Sequence, residues 1–298
     1  MRQKLADILK LFALEDAEDG KFSGPQPDDS TERVRVYGGQ VAAQAIAAAA
    51  RTVSGRRLHS LHVAFLRPGN PNAPLYYGVA VLREGRTFST RRVSVSQAGV
   101  TVMEALVSFL EPIDGDDFQR PMPAVADPDT LTDLEDQLSS YLDDETDEDL
   151  GLVRSRLVEM RYVDPPPRIS VDGAVPDDAV CRLWLRLVDR DPDHDEAVRM
   201  LLTDPLLGAC MLAYVSDWTI LDPVQVAIGK TWQHLANMAS LDHAMWFHRP
   251  VDFSDWLLYE QRSPSVAGGV GLGTGAIYNR DGTLVCTVTQ EGFVGRRL

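Results

Sequence analysis

One pattern occurs twice in this chain, and it constrains the fold more than any other feature. Around Leu61 the sequence reads Leu-His-Val-Ala-Phe-Leu-Arg-Pro, ending at Pro68; around His243 it reads His-Ala-Met-Trp-Phe-His-Arg-Pro, ending at Pro250. A tyrosine follows each Arg-Pro at the same distance of nine positions, Tyr77 in the first copy and Tyr259 in the second. A glycine turn and an alternating apolar stretch come next, Gly99 to Phe109 and Gly282 to Phe293, with 31 and 32 residues from proline to glycine. A repeat fixes the architecture that every local assignment must fit, so it takes precedence over them. Two copies in 298 residues make a duplicated domain, each half long enough for its own core. Differences between the copies then mark where one half does something the other does not.

The elements follow the same order in both copies. Residues 3–14 have the pattern of a short amphipathic helix. Gly38-Gly39-Gln40 opens an alanine-rich stretch to Ala50 that is small or apolar nearly all round, the composition of a helix buried on every side. Strands are expected at Leu58–Leu66, Leu75–Glu84, Phe88–Gln97 and Val100–Leu110, with glycine or proline turns between them. In the second copy Arg154–Val163 and Arg182–Leu187 read as leading strands. Thr203-Asp204-Pro205 then marks a helix start, a capping side chain followed by proline at the first helical position. Leu206 to Ala213 continues it, apolar all round, and strands are expected at Leu241–Phe247, Trp256–Arg262, Gly271–Asn279 and Thr283–Gln290. A long helix wrapped by an antiparallel sheet, twice, is a two-module α+β architecture. The boundaries that follow are a helical lead-in over residues 1–30, a first module over 31–111, an acidic linker over 112–150 and a second module over 151–298.

Charge matters mainly for that linker. The chain carries a net charge of −15, but residues 112–149 hold 14 Asp and Glu against one Arg, so the remainder is nearly balanced. The segment, with its run Asp143, Asp144, Glu145, Asp147, Glu148 and Asp149, reads as a solvated connection between the halves. No basic stripe exists to neutralise phosphates, which argues against nucleic acid as a partner. No apolar run approaches the roughly 20 residues of a membrane span, and the start lacks an apolar leader, so a cytoplasmic protein without integral membrane association is expected. Cys181, Cys210 and Cys286 sit in apolar surroundings without a CxxC spacing and read as reduced core residues.

Several motifs together resemble one family. Val36-Tyr37-Gly38-Gly39-Gln40-Val41, Phe65-Leu66-Arg67-Pro68-Gly69, the stretch from Leu241 to Pro250 and Val288-Thr289-Gln290-Glu291-Gly292 are similar to acyl-CoA thioesterase II, the double-hotdog thioesterases. The resemblance runs through both halves in order, over most of residues 5–295, and is weakest in the acidic middle. It implies hydrolysis of medium- to long-chain fatty acyl-CoA to free acid and CoA, with no cofactor beyond the CoA of the substrate. It also implies a homodimer or homotetramer. In such enzymes an Asp, a Thr or Ser, and a Gln hold the attacking water, and those roles fall on Asp217, Ser240 and Gln290.

The residues have their own physics. Asp217 follows an apolar helix, so the helix dipole and burial both raise the cost of its charge and favour a base that titrates closer to neutrality. Gln290 shares a strand face with Leu284, Cys286 and Val288, where a carboxamide is costly unless it is partnered. Aligning Gly99 on Gly282 puts Val107 at the matching place in the first copy: one half keeps the apolar residue, the other carries a group that can hold a water. Ser240 supplies a hydroxyl where many relatives have Thr. Gly38 and Gly39, with Gln40, open the first buried helix, and the Gly39 N–H is the expected oxyanion donor. Arg91 and Arg92, and Arg67, are candidate contacts for CoA phosphates. Asp242 and His243 are adjacent on a strand and so point to opposite faces, which argues against a shared metal ion. No Gly-x-Ser-x-Gly elbow supports a nucleophilic serine. Two rival readings stay open: a hotdog enoyl-CoA hydratase or dehydratase, which needs an Asp/His pair where no His is expected in the network, and a non-catalytic acyl-CoA binding protein.

Overall fold

The computed structural model describes residues 4–27, 35–139, 157–166, 178–188, 193–229 and 238–295. Helix α1 (Leu5–Leu11) buries Leu5, Ile8, Leu9 and Leu11, the one-face spacing of an amphipathic helix. Helix α2 (Gly38–Ala50) buries nearly every residue it has, as its small side chains allow. Then come α3 (Leu134–Ser139), α4 (His194–Thr203), α5 (Pro205–Ser216) and α6 (Asp222–Ala227). The Asp204 side chain accepts from the Leu206 and Leu207 amides, so α5 starts on the cap and proline read from the sequence. Helices α4 and α6 were not anticipated.

The strands are β1 (Glu15–Asp16), β2 (Phe22–Gly24), β3 (Arg57–Phe65), β4 (Leu75–Glu84), β5 (Phe88–Gln97), β6 (Val100–Leu110), β7 (Val158–Tyr162), β8 (Val180–Leu187), β9 (Ala239–Ser240), β10 (Asp242–Phe247), β11 (Leu257–Ala267), β12 (Val270–Asn279) and β13 (Leu284–Phe293). They form one antiparallel sheet in the order β1-β2-β4-β5-β6-β3-β10-β13-β12-β11-β8-β7, with β9 pairing β13. The two copies of the repeated motif are β3 and β10, and they lie side by side: Leu61 pairs Met245 and Val63 pairs His243. The duplication is therefore also the seam, where one half-sheet continues into the other. The fold is an α+β double hotdog.

Helices α2 and α5 pack antiparallel across this sheet. Gly38 and Gly39 at the start of α2 meet Tyr214 and Asp217 at the end of α5, and Cys210 meets the Ala43 carbonyl near mid-helix. Both helices belong to one continuous core. The repeated tyrosines reach these helices in both halves: the Tyr77 hydroxyl donates to Gln44 Oε1 on α2, and that of Tyr259 to the Ser216 carbonyl at the end of α5. All three cysteines are buried and free.

The segment read as a solvated linker is in part a strap. Met122, Val125 and Leu131 pack on a second apolar cluster of Trp184, Trp256, Leu258 and Tyr278. Polar contacts fix the same stretch: Arg120 pairs with Glu260, the Trp184 indole donates to the Ala126 carbonyl, and Arg280 pairs with Asp127 and Asp129. The reading failed because these acids have arginine partners more than a hundred residues away, beyond any local pattern. The acidic run 143–149 lies outside the described residues.

Candidate active site

Helix α5 ends at Ser216, and Asp217 follows as its C-cap with helical backbone angles. Beyond it the chain must turn tightly to pass under the sheet, and β12 makes room. A Cβ on Gly273 would stand 2.1 Å from the Ile220 carbonyl oxygen, and one on Gly271 would stand 2.3 Å from Val224. This glycine face lets the turn after Asp217 lie directly on the strand. Two tyrosine hydroxyls satisfy carbonyls at the end of α5, Tyr37 on Tyr214 at 2.6 Å and Tyr259 on Ser216 at 3.1 Å.

The Asp217 carboxylate lies between two helix ends. The negative end of α5 disfavours its charge, while the positive end of α2 favours it, and the Gly39 N–H donates to Asp217 Oδ2 at 2.8 Å. Burial dominates and pushes the carboxyl up from its ordinary range; nearby His243, the Gln290 amide, the Gly39 N–H and Arg35 act in the opposite sense. Asp217 Oδ1 is buried and has no hydrogen-bond partner among the described residues.

Gln290 is on β13, buried at 1% exposure, and its Nε2 donates to Ser240 Oγ at 2.8 Å. Ser240 is held there because β9 pairs with β13, with Ser240 opposite Gly292. Ser240 and Asp217 are the half-exposed members of the group, so the cluster is approached from their side. The structure thus brings Asp217, Gln290 and Ser240 together at the N-terminus of α2.

Six expected residues take other places. The Gly39 N–H is committed to Asp217 rather than to an incoming carbonyl. Its missing side chain serves close packing, since a Cβ would stand 2.6 Å from the Tyr214 carbonyl; one on Gly38 would stand 2.8 Å from Asp217 Oδ2. The Gln40 side chain turns to the Pro25 carbonyl and Gln26. Arg91 is 2% exposed and donates to Thr52 Oγ1, to the Thr52 and Arg83 carbonyls and to Glu84, which leaves no face for a phosphate. Arg92 is exposed, 4.0 Å from Glu104, and exposed Arg67 donates to the Thr101 carbonyl; neither touches the cluster.

One residue was missed. His243 is fully buried; its Nδ1 meets Gln290 Oε1 and its Nε2 lies 3.1 Å from Ser216 Oγ. The expectation that no His joins the network is therefore corrected. The repeat carried the clue, since His243 replaces Leu61 in the aligned motif just as Gln290 replaces Val107. Asp242 points the other way, its carboxylate accepting from the Glu291 amide. The Tyr37, Tyr214 and Trp218 rings pack together beside the acid, with centroids 5.1–6.5 Å apart. A surface groove of about 720 Å³ bordered by Glu159, Arg186, His194 and Phe253 contains none of these residues.

The chain matches two family models, one described as acyl-CoA thioesterase over residues 196–293 and one as acyl-CoA thioesterase N-terminal domain over residues 26–110. It is 32% identical to acyl-CoA thioesterase 2 of Haemophilus influenzae, the match covering 99% of each chain. It is 33% identical to acyl-coenzyme A thioesterase 8 of Homo sapiens, over 87% of this chain and 80% of that one. A crystal structure of an acyl-CoA thioesterase II from Mycobacterium marinum superposes with a TM-score of 0.75 at 34% identity, covering 99% of both chains.

Proposed function

This chain belongs to the acyl-CoA thioesterase family and hydrolyses acyl-CoA thioesters, and we propose that the water it uses is held by Asp217, Gln290 and Ser240. One observation carries this reading: Asp217 Oδ1 is a buried acceptor with no partner among the described residues, in a cluster whose other members are an amide and a hydroxyl. Orphaned buried acceptors are rare and costly, which fits an atom reserved for a proton in transit. Burial raises the carboxyl toward neutrality, where a general base works best.

In this reading the water oxygen attacks the thioester carbon while its proton passes to Asp217 Oδ1. Charge developing on the carbonyl oxygen is stabilised by the positive end of α2. The tetrahedral intermediate then collapses, the C–S bond breaks, and the proton on Asp217 passes to the leaving thiolate, giving free acid and CoA. No cofactor is drawn upon. The Tyr37–Tyr214–Trp218 wall beside the acid suits an apolar acyl chain, which supports medium- to long-chain substrates.

Among the described residues no single helix is long and apolar enough to cross a membrane. We place the protein in the cytoplasm as a homo-oligomer. The exposed apolar residues Val81, Leu82, Leu106 and Trp246 are the surface that favours self-association.

The test is hydrolysis of a chain-length series of acyl-CoA, followed with a thiol reagent, for the wild type, Asp217→Ala and Gln290→Ala. Removing the general base is expected to lower kcat by roughly 100- to 10,000-fold. Unchanged turnover in both variants contradicts the water-holding role. Light scattering in solution reads the oligomeric state, and a monomer contradicts self-association.

A further inference from the structure

We propose that His243 is a positioning residue, whose imidazole fixes the orientation of the Gln290 carboxamide. The inference rests on the reading of Gln290 as a water-holding group and assigns what makes that group competent. A carboxamide has two unlike ends, and an amide turned the wrong way offers the water an acceptor where a donor is required. In this structure Gln290 Oε1 meets His243 Nδ1, and Nε2 meets Ser240 Oγ. An oxygen of this kind only accepts, so Nδ1 carries the proton. The NH2 end then faces Ser240 and the Asp217 carboxylate.

The imidazole is itself held. With the proton on Nδ1 its Nε2 is an acceptor, and the Ser216 hydroxyl 3.1 Å away donates its one proton there. The line Ser216–His243–Gln290 therefore runs from the last turn of α5, whose next residue is Asp217, to the amide on β13. Acid and amide are set by the same helix end.

The repeat gives an independent reason to assign His243 to the chemistry. In the first half Leu61 pairs with Val107 across β3 and β6, and both are fully buried. In the second half Ala244 pairs with Thr289, so the next step of the ladder sets His243 opposite Gln290. Both members of one cross-strand pair have changed from apolar to polar, and the new side chains bond to each other. A core needs neither change, because burying two polar groups is at best neutral against a packed apolar pair. The pair makes sense as a unit.

Four variants, purified as the full chain, test this: His243→Leu, His243→Asn, Gln290→Leu and the double variant His243→Leu/Gln290→Leu. Misplacing a reacting group costs about 100-fold, so kcat of His243→Leu is expected to fall by about that factor while KM stays within about threefold. His243→Asn keeps an N–H near the Nδ1 position and is expected to recover kcat to within about tenfold of wild type. The double variant is expected to be no slower than Gln290→Leu alone, because His243 acts through Gln290. Wild-type kcat in His243→Leu, or losses that multiply in the double variant, overturn the inference. Should His243→Leu fail to fold, His243→Gln replaces it: its N–H stands near Nε2, so it is expected to be slow where His243→Asn is fast, and the reverse order overturns the inference. A Gln290→Leu enzyme at wild-type kcat contradicts the role of Gln290 itself, an outcome separate from failure at His243.

Discussion

At the C-cap of the first central helix stands Arg51; at the C-cap of the second stands Asp217. The arginine suits its place: it complements the negative helix end, donates to the Leu14 carbonyl and pairs with Asp16. The aspartate opposes the dipole of its own helix, and its Oδ1 is buried besides. The same contrast runs through the strands beneath. Arg91 pairs with Val107 in the first half, and Gly273 with Gln290 in the second. Arg91 reaches Thr52, just past α2, and fills the space there with a guanidinium. Gly273 leaves that space to the chain after Asp217. One end of the molecule is closed by a satisfied polar cluster, and the other holds an orphaned carboxylate oxygen. The second half thus carries local costs that the first does not, as functional sites commonly do.

The contrast can be broken deliberately. The largest effect is expected from Gln290→Val, which gives the second half the residue of the first: kcat should fall roughly 100- to 1,000-fold, as on loss of one aligned hydrogen-bonding group, and stability by about 1–3 kcal/mol, because the buried His243 Nδ1–H loses its acceptor. Thiol release and a thermal melt measure both. The reverse change, Val107→Gln, puts an amide where no partner waits and should cost about 2 kcal/mol in a denaturant titration while leaving kcat within about twofold. The pH profile sharpens the contrast from another side. A base must be ionised, so activity is lost as pH falls through the raised Asp217 pKa, and the acid limb of kcat/KM should lie above the ordinary aspartate value near 4. A folded-state pKa that is raised also means stability falls as pH rises through the same window, and Asp217→Asn should abolish that dependence. The smallest effect is expected from Arg51→Ala, which removes a dipole complement and a mostly exposed ion pair: about 0.5 kcal/mol of stability and no change in kcat.

Much of this contrast was open to inspection in the sequence. Composition alone identifies both central helices, because Gly38–Ala50 is small or apolar nearly all round and Leu206–Ala213 is apolar on every face. Alternation located the strands around them. Val107 against Gln290 is visible once the glycines are aligned, and Leu61 against His243 stands in the same alignment, where His243 is weighed only as a metal ligand. What could not be read were relations between distant segments. The β3–β10 seam joins residues some 180 positions apart. The strap over residues 117–129 depends on partners such as Trp184 and Arg280. The Gly39 N–H reads as a free donor until the fold brings Asp217 to it. The amphipathic α4 was passed over beside the stronger apolar pattern of α5, and α6 is too short to show a period.

The central claim is that the duplicated fold carries one active site per chain, at the end where the repeat is broken. A crystal structure with a non-cleavable acyl-CoA thioether tests it most directly. One analogue per chain is expected, its reacting carbon against Asp217 Oδ1 and the Gln290 amide. An analogue seated instead beside Arg91 and Thr52, or one at each end of the chain, contradicts the account.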